Sequence, residues 1–426
     1  MKSKINLDRV PFVQNIEREN LSLFTSLDSE LSFITREKVK GRLSVSDSLD
    51  LNVIRERIAF LTSNTAFTDG FTTGSEQNLD HSLLKGNIEN FIGMTQVPTG
   101  VMGPVKVRGS HANGEFFVPL ATSEGALVAS YHRGAKACYE AGGVRSICVS
   151  QGVQRSPMFL FESVISASKF VQWVAENENH FVEITQTKSR FAQLKGVSVN
   201  MEGNAVTLLL NFYTGDAAGQ NMVTICTDAI CTFIIQNSLL TPTRWYVEGN
   251  LSGDKKATSR ALQGVRGKKV VTEIDIPKEV VSSVLKSTPE NIARYWHHST
   301  MNVIQSGAIG SQGHYANGLA AIFLATGQDV ACVSEASIGI TRMSVNEEGG
   351  LYVSVTLPNL IVGTVGGGTS LPTQKECLEM MGCFGLGKAV KFAEICGAVV
   401  LCGEISIAAA LAEGHFTSAH QKLGRK

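Results

Sequence analysis

Residues 318–326 and 397–412 are apolar on nearly every side if each is coiled into a helix. A helix with no polar face cannot rest on a protein surface, so both have to run through the interior of a folded body. That requires a broad shell of other elements around them. The chain, at 426 residues, is long enough to supply the shell and to divide into two or three domains. Neither stretch approaches the ~18 uninterrupted apolar residues of a membrane span, so the expectation is buried core helices.

Charge narrows the choice of partners. Lys+Arg and Asp+Glu both number 38, and the formal net charge is +0. Such a surface has no long-range field to gather nucleic acid or an anionic membrane, and neither is expected as a partner. The nine cysteines include no Cys-x-x-Cys pair, and an odd count does not make a disulfide framework. They read as reduced, mostly buried thiols of a cytoplasmic protein, with no metal site. The first residues are polar, without the apolar core of a signal peptide.

Along the chain, residues 1–80 carry helical patterning around 49–58 and a polar stretch at 62–77, and read as a helical N-terminal arm. From about residue 81 the sequence turns glycine-rich and apolar. A strand is expected at 116–120 and a helix at 123–141, with Leu127, Tyr131, Ala135 and Cys138 on one face. Between 157 and 245 strands and helices alternate: a helix near 170–178, a strand at 206–212, a helix at 222–236. That alternation suggests a small domain inserted into a larger one.

Polar residues stand out where apolar elements end. Glu124 follows a strand in Thr122-Ser123-Glu124-Gly125, where a carboxylate can serve as a helix-start partner or approach a ligand. Asp254-Lys255-Lys256 lies in a Gly/Ser loop, and such charge runs are often plain solvated turns. Asp329 follows an apolar helix, where a carboxylate opposes the helix dipole and calls for a compensating reason. His420 stands near the end of the chain. Two glycine stretches, 214–222 and 363–369, could bring backbone N–H groups to a phosphate, or could simply allow close packing. The common dinucleotide and P-loop fingerprints are both absent.

Taken in order, these segments resemble hydroxymethylglutaryl-CoA reductase. The matching pieces are Glu89-Asn90-Phe91-Ile92-Gly93, residues 98–104, residues 118–130 around Glu124, Gly215-Asp216 through Met222, Asp254-Lys255-Lys256, Gly327-Gln328-Asp329, Gly363 to Thr369, and residues 403–415. The form around Glu124 resembles the class I type. The resemblance implies an α/β (α+β) fold: a large helix-rich substrate domain, 81–156 and 259–426, around a central buried helix. A small inserted ferredoxin-like domain, 157–245, would hold NADPH, and a loop at 246–258 would carry Lys255. A homodimer or homotetramer is implied, because the family's site forms between subunits.

The resemblance also assigns roles. Lys255 would stabilise or protonate the carbonyl oxygen on which charge grows during thioester reduction. Glu124 and Asp329 would lie beside it, Glu124 giving a proton to the aldehyde oxygen, a role that calls for burial and a like charge nearby. His420 would protonate the departing thiolate. Ser130, Arg133, Arg155, Asp254, Lys256, His297, His314 and Asn317 would hold the acyl-CoA. NADPH would be bound by Ser189, Arg190, Asp216, Ala218, Gly219, Gln220, Asn221, Met222, Gly366 and Gly367, with Ser189 and Arg190 at the 2′-phosphate. A cation there favours NADPH over NADH, whose sites more often offer an acid to the ribose.

Departures from the family pattern cluster at the substrate end. A carboxylate-binding lysine of the family aligns with His297, and a serine with Glu248, which would repel a substrate carboxylate unless turned away. An aromatic cap over adenine aligns with His81, an asparagine with His132, and the serine before the catalytic histidine with Ala419. These changes leave open a different acyl group, or a carrier-protein thioester in place of CoA.

Overall fold

The computed structural model describes residues 51–66, 84, 86–88 and 95–414. His81, Ala419, His420 and the motif at 89–93 lie outside the described residues, as does most of the N-terminal arm. Its described part is a helix, α1 (Leu51–Asn64), longer than the patterning at 49–58 suggested. Leu61 buries itself against Phe117 and Met380, and Phe60 meets the Phe117 ring edge-on at 5.4 Å.

An eleven-stranded mixed sheet organises the described residues. Its larger part comprises β1 (Thr99–Gly109), β2 (Asn113–Ala121) and β3 (Val144–Arg155). To these are joined β8 (Arg266–Ile276), β9 (Gly310–Ser311), β10 (Gly339–Val345) and β11 (Leu351–Leu360). Strand β8 alternates buried and half-buried residues along its whole length, so one face is given to the core. On that face lie α2 (Leu127–Glu140), α5 (Pro289–Gln305), α6 (Tyr315–Thr326) and α9 (Ala389–Ala412).

Helix α9 has the length and apolarity of a membrane span, yet 83% of its most apolar window is buried inside the protein. It is the central helix, lined on one side by sheet and on the others by α2, α5 and α6. Close packing there depends on glycine: a methyl at Gly134 would collide with the Cys402 carbonyl, and one at Gly403 or Gly318 with the Tyr131 ring. All nine cysteines are free and buried, as their spacing suggested.

The inserted segment forms a unit with its own core. In chain order it runs β4 (Met158–Leu160), α3 (Val164–Lys188), β5 (Gln193–Glu202), β6 (Ala205–Tyr213), α4 (Gln220–Asn237) and β7 (Arg244–Tyr246). The strands lie in the order β7-β4-β6-β5, every pair antiparallel. This is the βαββαβ arrangement of ferredoxin-like folds, as expected. Phe159, Phe161, Phe170, Phe181, Leu208, Phe212 and Ile230 fill the space between sheet and helices, apart from the main core. Strand β6 also meets the end of β3, so the small sheet continues the large one.

Boundaries moved where local chemistry outweighed periodicity. The helix expected at 123–141 begins only at Leu127, because Ala126 is left-handed at φ 68°. Glu124 is therefore not in a helical first turn but in the exposed turn before it, its N–H donated to Thr122 Oγ1 at 3.0 Å. Leu127, Tyr131, Ala135 and Cys138 nevertheless share the buried face.

Candidate active site

The loop after β7 returns the chain to the large body, and charged side chains fold it. Asp254 is gripped from two sides, with Arg155 Nη1 at 2.5 Å from one oxygen and Arg266 Nη2 at 2.7 Å from the other. Burial opposes ionisation of Asp254, but the two guanidiniums outweigh it and hold its carboxyl below the usual range. Arg266 is fully buried and also pairs with the fully buried Glu335, Nε to Oε2 at 3.1 Å. The other Glu335 oxygen accepts the Lys255 backbone N–H at 3.0 Å. Burial raises the Glu335 carboxyl, against the opposing pull of Arg266.

Lys255 itself is left-handed, φ 54°, a conformation few non-glycine residues adopt without support. In this pose its ammonium reaches Asp329 Oδ2 at 2.8 Å. That hydrogen bond is the main reason its pKa is raised. The anomaly of an acid after an apolar helix is also explained. Asp329 caps the short turn Val330–Cys332, accepting the Ala331 N–H at 3.1 Å.

The two glycine stretches come together beside this pair. Thr364 N–H donates to the Asp216 carbonyl at 2.8 Å, and Ala217 bridges Val365. Gly219, at φ 78°, opens α4 and packs against Thr214, whose side chain lies where a methyl on Gly219 would stand. Gly366 and Gly367 are exposed, and a methyl on either would point into open space. Gln328 Oε1 accepts the Gly363 N–H at 2.8 Å, and Gln220 Nε2 donates to Cys332 Sγ at 3.0 Å. Those two contacts tie the glycine-lined helix start to the segment that carries Asp329.

Other residues assigned to the cofactor are placed less simply. The Asp216 carboxylate turns away from the glycines and caps α9, accepting N–H groups of Gly387, Lys388 and Ala389 at 2.7–3.0 Å. The Ser189 hydroxyl accepts the N–H groups of Phe191 and Ala192 as α3 ends. Arg190 is exposed, 5.9 Å from the Phe191 ring centroid. Ala218, Asn221 and Met222 lie at the start of α4 beside Gly219.

Within one chain Glu124 makes no ion pair with Lys255 among the described residues, and it is exposed rather than buried. Its carboxylate accepts from Asn317 Nδ2 at 2.7 Å, in the first turn of α6. Asp329 follows the other end of that helix. At ~1.5 Å per residue the two places are on the order of 15 Å apart. Near Glu124, the buried Glu404 orders the loop into α6, accepting from Gly313 N, His314 N, His314 Nδ1 and Thr341 Oγ1. Ser130 and Arg133 both contact Ser406 on α9, Arg133 through Nε at 3.0 Å and Nη2 at 2.6 Å. Burial lowers the Arg133 pKa.

The substrate-end departures also find places. Glu248 is turned into its own loop, bonded to the Ser156 and Ser252 hydroxyls and the Asn250 N–H, with Arg155 at 3.9 Å. Arg155 is held in turn by Thr224, Asp254 and the Gln220 carbonyl. His297 is exposed on α5, edge-to-face with His298, and Lys256 donates to the Asp254 carbonyl at 2.9 Å. His132 is half-buried, and desolvation followed by Lys136 lowers its pKa.

Sequence reading missed Glu335, Arg266 and Glu404 as parts of the site. Arg266 passed as one more charge beside Lys268 and Lys269, and Glu335 had no motif around it. The one available signal was Glu404, a lone acid in a stretch too apolar to sit at a surface.

Fold and site together define an α/β protein that sets an ammonium–carboxylate pair against a glycine-lined helix start. The model of the family "Hydroxymethylglutaryl-coenzyme A reductase" matches residues 53–425, and the chain belongs to that family. A 3-hydroxy-3-methylglutaryl-coenzyme A reductase of Methanocaldococcus jannaschii is 45% identical, covering 80% of this chain and 85% of its own. One from Aeropyrum pernix is 46% identical over 82% and 84%. Among solved structures, the Streptococcus pneumoniae reductase superposes with a TM-score of 0.67 at 18% identity, over 84% of this chain and 96% of that one. A second structure of the Streptococcus pneumoniae reductase is described as class II and bound to NADPH, with a TM-score of 0.66 and 18% identity over 84% and 96%. These likenesses show the shared fold, and they lend no support to the class I subdivision expected from the residues around Glu124.

Proposed function

We propose that this chain reduces 3-hydroxy-3-methylglutaryl-CoA to mevalonate and CoA with NADPH. The observation that carries the reading is the Lys255–Asp329 pair, 2.8 Å apart and tied through Gln220 and Gln328 to the paired glycine stretches. NADPH fits there: the stretch that opens α4 is paired through Ala217 and Val365 with the loop of Gly366 and Gly367, before which the space is open. Bound there, it would supply the hydrides for the two reduction steps.

The chain's own groups handle charge and protons. Lys255 lies where its ammonium can offset negative charge growing on the thioester carbonyl oxygen and then on the aldehyde oxygen. Asp329 holds that ammonium in its charged form and aims it. Glu124, steadied by Asn317, is the proton donor to the aldehyde oxygen, and His420 the acid for the departing thiolate. Arg190 at the end of α3 answers the 2′-phosphate. Ser130, Arg133 and His314 line the thioester side. Glu248 raises no barrier to a carboxylate substrate, because its charge is spent on Ser156, Ser252 and the Asn250 N–H.

In this reading 157–245 is the cofactor unit, 246–258 the hinge loop with Lys255, and 81–156 with 259–426 the substrate body. The spread of Lys255 and Glu124 to opposite ends of α6 supports a site completed by a second copy, with Glu124 of one meeting Lys255 of the other. The test is stoichiometric: NADPH oxidised, by absorbance, against CoA released, by thiol reagent, from hydroxymethylglutaryl-CoA. Two cofactors per CoA with mevalonate as product is the expected result. No oxidation, or one cofactor per CoA with accumulating aldehyde, would overturn it.

A further inference from the structure

Lys255 is gripped twice by one short segment, 329–336. Asp329 takes its ammonium at 2.8 Å, and Glu335 takes its backbone N–H at 3.0 Å. Between the two contacts the lysine adopts a left-handed backbone, φ 54°, which an L-residue keeps only when its surroundings hold it. Glu335 is in turn locked. It is fully buried, and its second oxygen is bound by the fully buried Arg266 at 3.1 Å. Arg266 reaches on to Asp254, the residue before Lys255, at 2.7 Å and to the Gln154 carbonyl at 3.3 Å. Its own N–H is fixed by Asn359 at 3.1 Å.

A buried ion pair is weak evidence for stability, because desolvating both charges offsets most of their attraction. Its retention under an exposed lysine points to geometry instead. We infer that Glu335, backed by Arg266, is a positioning residue for Lys255, setting the backbone pose from which the ammonium meets Asp329 and the substrate oxygen. The inference rests on the reading of Lys255 as the group beside that oxygen.

The experiment uses the full chain with Glu335→Gln, Glu335→Asp and Lys255→Ala measured in parallel. Glu335→Gln keeps the shape but sets an amide where Arg266 needs an acceptor. Glu335→Asp keeps the buried charges balanced and shortens the arm to the Lys255 N–H by one methylene, so it preserves folding if the glutamine variant does not. Both are expected to lower kcat about tenfold or more while KM for NADPH stays within about twofold, the pattern of a lost transition-state contact. A folded Glu335 variant with wild-type kcat, or one whose loss falls on KM for NADPH rather than on kcat, overturns the inference. Should Lys255→Ala retain turnover, the reading beneath it fails instead, whatever Glu335 does.

Discussion

The proposed preference for NADPH rests on Arg190, a single exposed residue. Its guanidinium stands exposed at the end of α3, 5.9 Å from the Phe191 ring centroid and in no ion pair among the described residues. Arg190→Ala is expected to raise KM for NADPH about tenfold or more and leave KM for NADH nearly unchanged, since one charge-assisted contact is worth roughly 1.5–3 kcal/mol. Equal rises for both cofactors would remove Arg190 from the 2′-phosphate. Asp254 makes a residue-scale prediction about acid. Its folded pKa lies below the ordinary 3.8, so the stability from Arg155 and Arg266 is complete above that pH. It is lost as pH falls through the lower, folded value. The thermal midpoint of wild type should exceed that of Asp254→Asn at neutral pH, and the gap should close as the pH drops below 3.8. A gap that persists in acid would mean the loop does not depend on the ionised carboxylate.

Among the elements, the contact between α2 and α9 is the most sensitive to side-chain volume. The backbones approach so closely at Gly134 that a single methyl would strike the Cys402 carbonyl, and a helix carbonyl has little room to move. Gly134→Ala should therefore destabilise the protein by about 1–3 kcal/mol despite alanine's better helix propensity. Denaturant unfolding of the variant would measure it, and a neutral or stabilising result would show that α9 can shift. The same contact sets Ser130 and Arg133 of α2 against Ser406 of α9.

At the scale of the whole molecule, Glu124 and the Lys255–Asp329 pair lie at opposite ends of α6. If one copy's Lys255 serves with the other's Glu124, two inactive variants can repair each other. Lys255→Ala and Glu124→Gln mixed in equal amounts and allowed to exchange subunits should recover about a quarter of wild-type activity. Half of the dimers are then hybrids, each with one intact site. Recovery no greater than the sum of the separate variants, with hybrids shown to form, would mean that each site is built within one chain.

Much of this architecture was legible in the order of residues. All-round apolarity marked α6 and α9 as interior, since a helix without a polar face belongs in a protein core or a membrane, and the uninterrupted apolar runs were short for a span. The alternation between 157 and 245 suggested a small inserted domain, the family resemblance gave it a ferredoxin-like form, and the ordered motifs singled out Lys255, Asp329 and the glycine stretches. What the sequence could not disclose was set by contacts across long separations. Asp216 spends its carboxylate on the start of α9, Glu248 spends its charge on Ser156, and Arg266 and Glu335 meet 69 positions apart beneath Lys255. Local pattern reports which face of an element is apolar, but a buried charge is tolerable only where tertiary folding brings it a partner. For that reason the glycines and the core were written in the sequence, while the pose of Lys255 was decided by the fold.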